Sequence, residues 1–183
     1  EGYEPQSSEI WPIGTSEVFC TIKLTPYPEI QGTILTPEGL PAANAAIEYC
    51  WISSMGAHKR KHAAVCDEDG SFILTDVPTQ DSFYLTASHE SGYGYLVWDL
   101  KQPEPLIDLQ SWARLEGSVN IAGKIWENET VYLHSDNSII APNRESQIDA
   151  NGNFLFEQVV PGINILDLPD RSEPINLAPG EDL

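Results

Sequence analysis

The chain is short of basic residues, cysteine, methionine and long apolar runs, and each shortage closes off a class of function. Lys and Arg number 9 against 28 Asp and Glu, a net charge of −19 over 183 residues. A surface this acidic repels phosphate backbones and anionic lipid, so nucleic acid is excluded as a partner and membrane surfaces are disfavoured. No apolar run approaches the ~18 residues that a membrane-crossing helix needs, and no signal-peptide core is present. Three cysteines, Cys20, Cys50 and Cys66, lie 30 and 16 residues apart, without Cys-x-x-Cys. That spacing leaves zinc, haem attachment and thioredoxin chemistry unsupported. One disulfide with one thiol, or three thiols, remain open. There is no Gly-x-Ser-x-Gly, no His-Glu-x-x-His and no phosphate-binding loop, and the histidines (His58, His62, His89, His134) are scattered. No enzyme activity, cofactor or metal is expected. The chain starts at Glu1 rather than Met, which reads as a processed or excised piece.

What is present is a repeat. Ile30-Gln31-Gly32-Thr33-Ile34 recurs as Leu115-Glu116-Gly117-Ser118-Val119, offset by 85. Gly39, Ile47 and Tyr49 recur as Gly123, Val131 and Leu133, offset by 84. The turn Asp67 to Phe72 recurs as Asp149 to Phe154, offset by 82, and Val77-Pro78 as Val160-Pro161, offset by 83. Ile22-Lys23-Leu24 precedes Gly32 by the distance that separates Ile107-Asp108-Leu109 from Gly117; a third copy is Ile175-Asn176-Leu177. Taking each as a closing strand divides the chain at 1–26 (the end of an earlier unit, with a strand at Glu17 to Leu24), 27–109, 110–178 and a tail, 179–183. On this reading Cys20 shares a face with Ile22 and Leu24 and is a buried thiol.

Within units the apolar period is two: Ile47, Tyr49 and Trp51 alternate with Glu48 and Cys50, and Phe72 and Leu74 flank Ile73. Asp69-Gly70 and Asn151-Gly152 are tight-hairpin dipeptides. No apolar stripe keeps helical spacing for three turns. With 41% apolar residues a core is affordable. The expected fold is all-β, two tandem antiparallel β-sandwiches with an extra N-terminal strand segment.

These residues resemble the carboxypeptidase regulatory-like domain, a transthyretin-like (prealbumin-like) seven-stranded sandwich. The first copy supplies Gly32, Gly39-Leu40-Pro41, Ala45 to Tyr49, Asp67 to Phe72 and Val77-Pro78. The second supplies Gly117, Gly123, Thr130 to Leu133, Asp149 to Phe154 and Val160-Pro161-Gly162. Gly123 lacks the following Pro, and Thr79-Gln80 replaces the turn Gly. The resemblance implies a non-catalytic module, carried in tandem on secreted or envelope proteins, sometimes beside an enzyme domain.

Candidate interaction residues are few. His58-Lys59-Arg60-Lys61-His62 is a concentrated basic run, read either as a partner patch or as a solvated hairpin tip. Trp98 and Trp126 are the candidates for ligand-stacking aromatics, while Trp51 belongs to the core and Trp112 to the contact between units. Cys50, facing outward, and Cys66 are the candidate disulfide, if residues 47–52 pair with 63–67. The turns at Asp67 and Asp149 suit Asx hydrogen bonding better than a calcium loop, which needs five or more oxygen ligands.

The leading expectation is a non-enzymatic structural or interaction module, extracellular or in the cell envelope: a spacer, scaffold or assembly unit that meets protein partners. The alternative is a carbohydrate-binding accessory module of a larger secreted enzyme. Self-repulsion among 28 carboxylates predicts a Tm that rises from low to physiological ionic strength. A salt-independent Tm in a thermal scan contradicts it.

Overall fold

A computed structural model describes residues 3, 6–7, 19–52, 58–75, 77, 83–99, 101–121, 123–136, 141 and 143–183, with the backbone alone for 51, 52, 58–62, 121 and 124. Its regular structure is β throughout the described residues. The first unit holds β1 (Ile30–Leu35), β2 (Ala46–Ile52), β3 (His58–Val65), β4 (Ser71–Leu74), β5 (Phe83–His89), β6 (Gly92–Trp98) and β7 (Leu106–Asp108). One sheet runs β4-β1-β7 and the other β3-β2-β5-β6, extended at its end by β8 (Gln110–Ser111). Alternation along each strand sends Ile30 and Ile34, Ile47 and Tyr49, Phe72 and Leu74, and Leu85 into one shared core.

The second unit repeats the plan. Its strands are β9 (Ala113–Ser118), β10 (Asn120–Ile121), β11 (Lys124–Ile125), β12 (Thr130–Ser135), β13 (Arg144–Gln147), β14 (Asn153–Val159), β15 (Gly162–Asp167) and β16 (Ser172–Leu177). The sheets β14-β9 and β13-β12-β15-β16 match β4-β1 and β3-β2-β5-β6 strand for strand. Leu115, Val119, Val131, Leu133, Ile148 and Phe154 form a separate core. Burying a side chain of this size contributes ~1.5–3 kcal/mol. Exposed ion pairs such as Arg171–Glu173 contribute ~0–1 kcal/mol. The cores decide stability.

Both units are set by the same hairpin. Asp67 Oδ1 accepts the N–H groups of Asp69 (3.1 Å) and Ser71 (3.0 Å), and Ser71 Oγ donates to Asp67 Oδ2 (2.7 Å). Asp149 Oδ1 likewise accepts from Asn151 and Asn153, both at 2.8 Å. The left-handed positions fall on Gly70 and Gly152, at φ 72° and 90°. Hydrogen bonds from Ser71, and from Asn153 and Asn151, hold the two Asp carboxyls below the usual range. Their support is therefore complete above the unfolded carboxylate pKa and fades as pH falls through the lowered value.

Each turn aims a phenylalanine at a glycine. Phe72 pairs with Gly32 and Phe154 with Gly117. A Cβ on either glycine would stand 2.5 Å from the ring's Cζ. The ring lies on bare backbone.

Three expectations need correction. Residues 19–25 carry no strand, and residues 8–18, including Glu17 and Val18, lie outside the described residues. Phe19 is 94% exposed and Ile22 49%, and Cys20 is exposed rather than buried. The physical reason is that β1 already has β4 on one side and β7 on the other. Ile175-Asn176-Leu177 is not the counterpart of Ile107-Asp108-Leu109: it lies in β16, which corresponds to β6. The counterpart of β7 is the expected tail. Arg114 N–H donates to Glu181 O (2.8 Å), Glu116 N–H to Leu183 O (2.8 Å) and Leu183 N–H to Arg114 O (3.1 Å), a parallel pairing. Arg114 also binds Asp182 through its guanidinium at 2.7 Å. Finally, the closing pair β1–β7 is parallel, within otherwise antiparallel sheets.

Gly117→Ala tests the ring-on-backbone contact. Overpacking costs about 1–3 kcal/mol, read as a lower denaturation midpoint. An unchanged midpoint would sink the contact's role.

Candidate interaction surfaces

A cleft of about 550 Å³ opens where the units meet, between the outer face of β2 and β5 and strands β13 and β14. Trp112, in the connection between β8 and β9, is its pivot. The indole Nε1 donates to His89 O at 2.8 Å, and the ring lies 5.5 Å from Tyr93. From the second unit, the Arg144 guanidinium sits 5.8 Å from the Trp112 ring centroid. Such a cation–π contact contributes ~0.5–2 kcal/mol. Arg144 Nε is buried and has no hydrogen-bond partner among the described residues. Glu48 and Glu90 share the walls with Thr86 and Ser88. The arrangement orients two sandwiches; its mixed charge and half-polar walls offer no nucleophile and base in contact.

The sequence-derived candidates scatter. Trp98 is 5% exposed, packs edge-on against Phe83 at 5.6 Å and donates from Nε1 to Pro103 O. Trp126 packs against the second core. As an exposed stacking aromatic Trp98 is corrected, because covering apolar surface of that size is favourable, whereas Trp126 is half-buried and keeps part of its surface in solvent. His58-Lys59-Arg60-Lys61-His62 is no hairpin tip. Its backbone runs in β3, the edge strand, opposite Glu48 to Ile52, and its side chains lie outside the described residues, as does that of Trp51. Each remaining histidine has a local partner: His89 Nδ1 meets Ser91 Oγ at 2.7 Å, and His134 Nε2 meets Asp167 at 3.1 Å.

Cys50 and Cys66 are not joined in a disulfide. The register explains it: Cys50 stands opposite Arg60, six residues before Cys66, which places the two α-carbons about 20 Å apart along the strand. A disulfide tolerates roughly 4.4–6.8 Å. Cys50 is also buried, not outward and open. Burial, with Asp67 adding, raises the Cys66 thiol to about 11.

The aspartate turns spend their carboxylate oxygens on their own backbone, and the described residues hold no group of three or more His, Cys, Asp or Glu placed for a metal. No described helix is long and apolar enough to cross a membrane. Sequence reasoning missed Arg144, because nothing in Asn143-Arg144-Glu145-Ser146 announces a strand or a partner on another unit.

No protein family and no curated protein matches the chain in sequence. Among solved structures it is similar to the Bacillus anthracis TIE protein, at 11% identity and a TM-score of 0.34, over 84% of this chain and 32% of that one. It is similar to a streptococcal ancillary pilin, at 7% identity and a TM-score of 0.40, over 85% and 60%. It is also similar to a tetra-tandem repeat in the extending region of a large adhesion protein, at 14% and a TM-score of 0.21, over 85% and 47%. The chain spans less than two thirds of each.

Thiol counting checks the cysteine assignment. Native protein exposes one fast-reacting thiol, Cys20, and denatured, unreduced protein yields three. A count of one after denaturation would restore the bridge.

Proposed function

We propose that the chain is a non-enzymatic structural and interaction module, a pair of carboxypeptidase regulatory-like sandwiches that serves outside the cytoplasm as spacer or assembly unit. The observation that carries this reading is the strand-for-strand repetition of one sandwich plan, β4-β1 with β3-β2-β5-β6 and β14-β9 with β13-β12-β15-β16. Repetition multiplies length and surface, which a spacer uses. The residues shared by the copies are absorbed in turn and core: Asp67 and Asp149 in hairpins, Phe72 and Phe154 in packing. Trp98 is buried and Trp126 half-buried, which weighs against a platform built from that pair and favours the module reading over a glycan-binding one. Protein partners remain, met through strand edges and the cleft.

The proposal is tested by assaying the chain against chromogenic peptide, ester and glycoside substrates and on a glycan array. Background signal throughout is expected. Saturable turnover or a saturable glycan hit would overturn it.

A further inference from the structure

Arg144 has hydrogen-bonding capacity that no described residue uses. It stands opposite Leu133 in the register of β12 and β13, so its side chain leaves the core-facing side of an edge strand. From there it reaches the Trp112 ring. Stacking occupies the flat face of a guanidinium and none of its N–H groups. Nε is buried without a partner, and no described residue accepts a hydrogen bond from the terminal nitrogens or pairs with the charge. Sheltered donors of a charged group are costly to leave unmade, and the guanidinium fork suits a carboxylate. One carboxylate stands nearby and does not take it up. Glu90, in the turn between β5 and β6, borders the cleft and the adjoining groove of about 700 Å³, as Arg144 does. Among the described residues Glu90 has no ion-pair partner, Arg144 included. Its turn is fixed by the bond from Trp112 to His89 O and by the His89–Ser91 contacts. Two opposite charges, one from each unit, thus face the same space and are held apart.

We infer that the cleft binds a small zwitterion with an apolar side chain, an amino acid in its chemistry, carboxylate on Arg144 and ammonium on Glu90. The inference goes beyond the module reading and does not need it. The surrounding charge selects for both ends at once. Glu48, Glu90, Glu145 and Glu157 border the two openings of a chain whose net charge is −19, so a bare carboxylate is repelled. A bare cation meets Arg144's own charge and leaves its donors unmade. A ligand carrying both charges satisfies Arg144 and Glu90 and adds no net charge. Size agrees, because about 550 Å³ lies within the ~300–1,000 Å³ of small-ligand sites. The rings of Tyr93 and Trp112 offer an apolar rest for the side chain, and the hydroxyl residues Thr86 and Ser88 line the polar wall. The ligand's charged ends meet different units, so an occupied cleft ties the two sandwiches together.

The test is calorimetric titration of the full chain with L-phenylalanine and L-leucine, and with two analogues that each lack one charged end. Phenylethylamine has no carboxylate and 3-phenylpropanoate no ammonium. Saturable binding of the amino acids is expected, with a Kd of about 1 mM or tighter, and each analogue binds about tenfold or more weakly. Arg144→Gln removes the carboxylate's partner, so phenylalanine then binds no better than phenylethylamine. Glu90→Gln removes the ammonium's partner, so phenylalanine then binds no better than 3-phenylpropanoate. Glu90 is exposed in a turn, which keeps this second variant folded even if Arg144→Gln disturbs the contact between units. No saturable binding of either amino acid up to about 20 mM would overturn the inference. So would analogues that bind as well as phenylalanine, or discrimination that survives Glu90→Gln. None of these touches the module reading, which falls only to turnover or glycan binding.

Discussion

Each sandwich depends on an aromatic ring laid against a stretch of strand that has no side chain. Phe72 on Gly32 and Phe154 on Gly117 bring the two strands of the smaller sheet to a fixed register. A side chain on either glycine would displace the ring, and with it the residues flanking it in the core. The aspartate hairpin is what delivers the ring: its carboxylate closes the turn, a left-handed glycine lets the chain reverse, and the second residue on is the phenylalanine. Local hydrogen bonding thus decides a long-range contact, because a shift of one residue would turn every side chain of the strand to the other face.

This hairpin was the most legible part of the sequence. Asp, Gly and Phe at fixed spacing, twice, identified both the fold class and the equivalence of the units. Alternation identified Ile47 and Tyr49 as core because a sandwich strand turns only one face to the core, while its other face here carries Glu48. Other parts escaped. Ile175-Asn176-Leu177 carries the same letters as Ile107-Asp108-Leu109 but sits in a different strand, since a three-residue pattern of period two suits any half-buried strand. The run at His58 looked like a turn because five charged or polar side chains rarely form a central strand; an edge strand accepts them. Cys50 and Cys66 were close in sequence pattern yet separated by register, which only the pairing of β2 with β3 reveals.

The contact between units was half legible. Trp112 lies in the connection, and a large aromatic in a short linker has to pack on what it links. Its second partner, Arg144, comes from a segment with no periodic signal, and the two meet only once both sandwiches are built. In a chain with so few basic residues, placing a guanidinium over an indole between two acidic bodies offsets their repulsion at the point where they approach.

The parallel pairing of first and last strand has a mechanical side. Chain enters the first unit through β1 and leaves it after β7, and these neighbours run in the same direction, so entry and exit lie at opposite ends of the sandwich. A pull on the ends slides β1 along β7 and strains their hydrogen bonds together, in shear, instead of opening them one after another. The second unit offers the same geometry through β9 and residues 181–183, with the Arg114–Asp182 ion pair lying across the sliding plane. Tension along such a chain meets its resistance at the first and last strands of each unit, before it reaches either core.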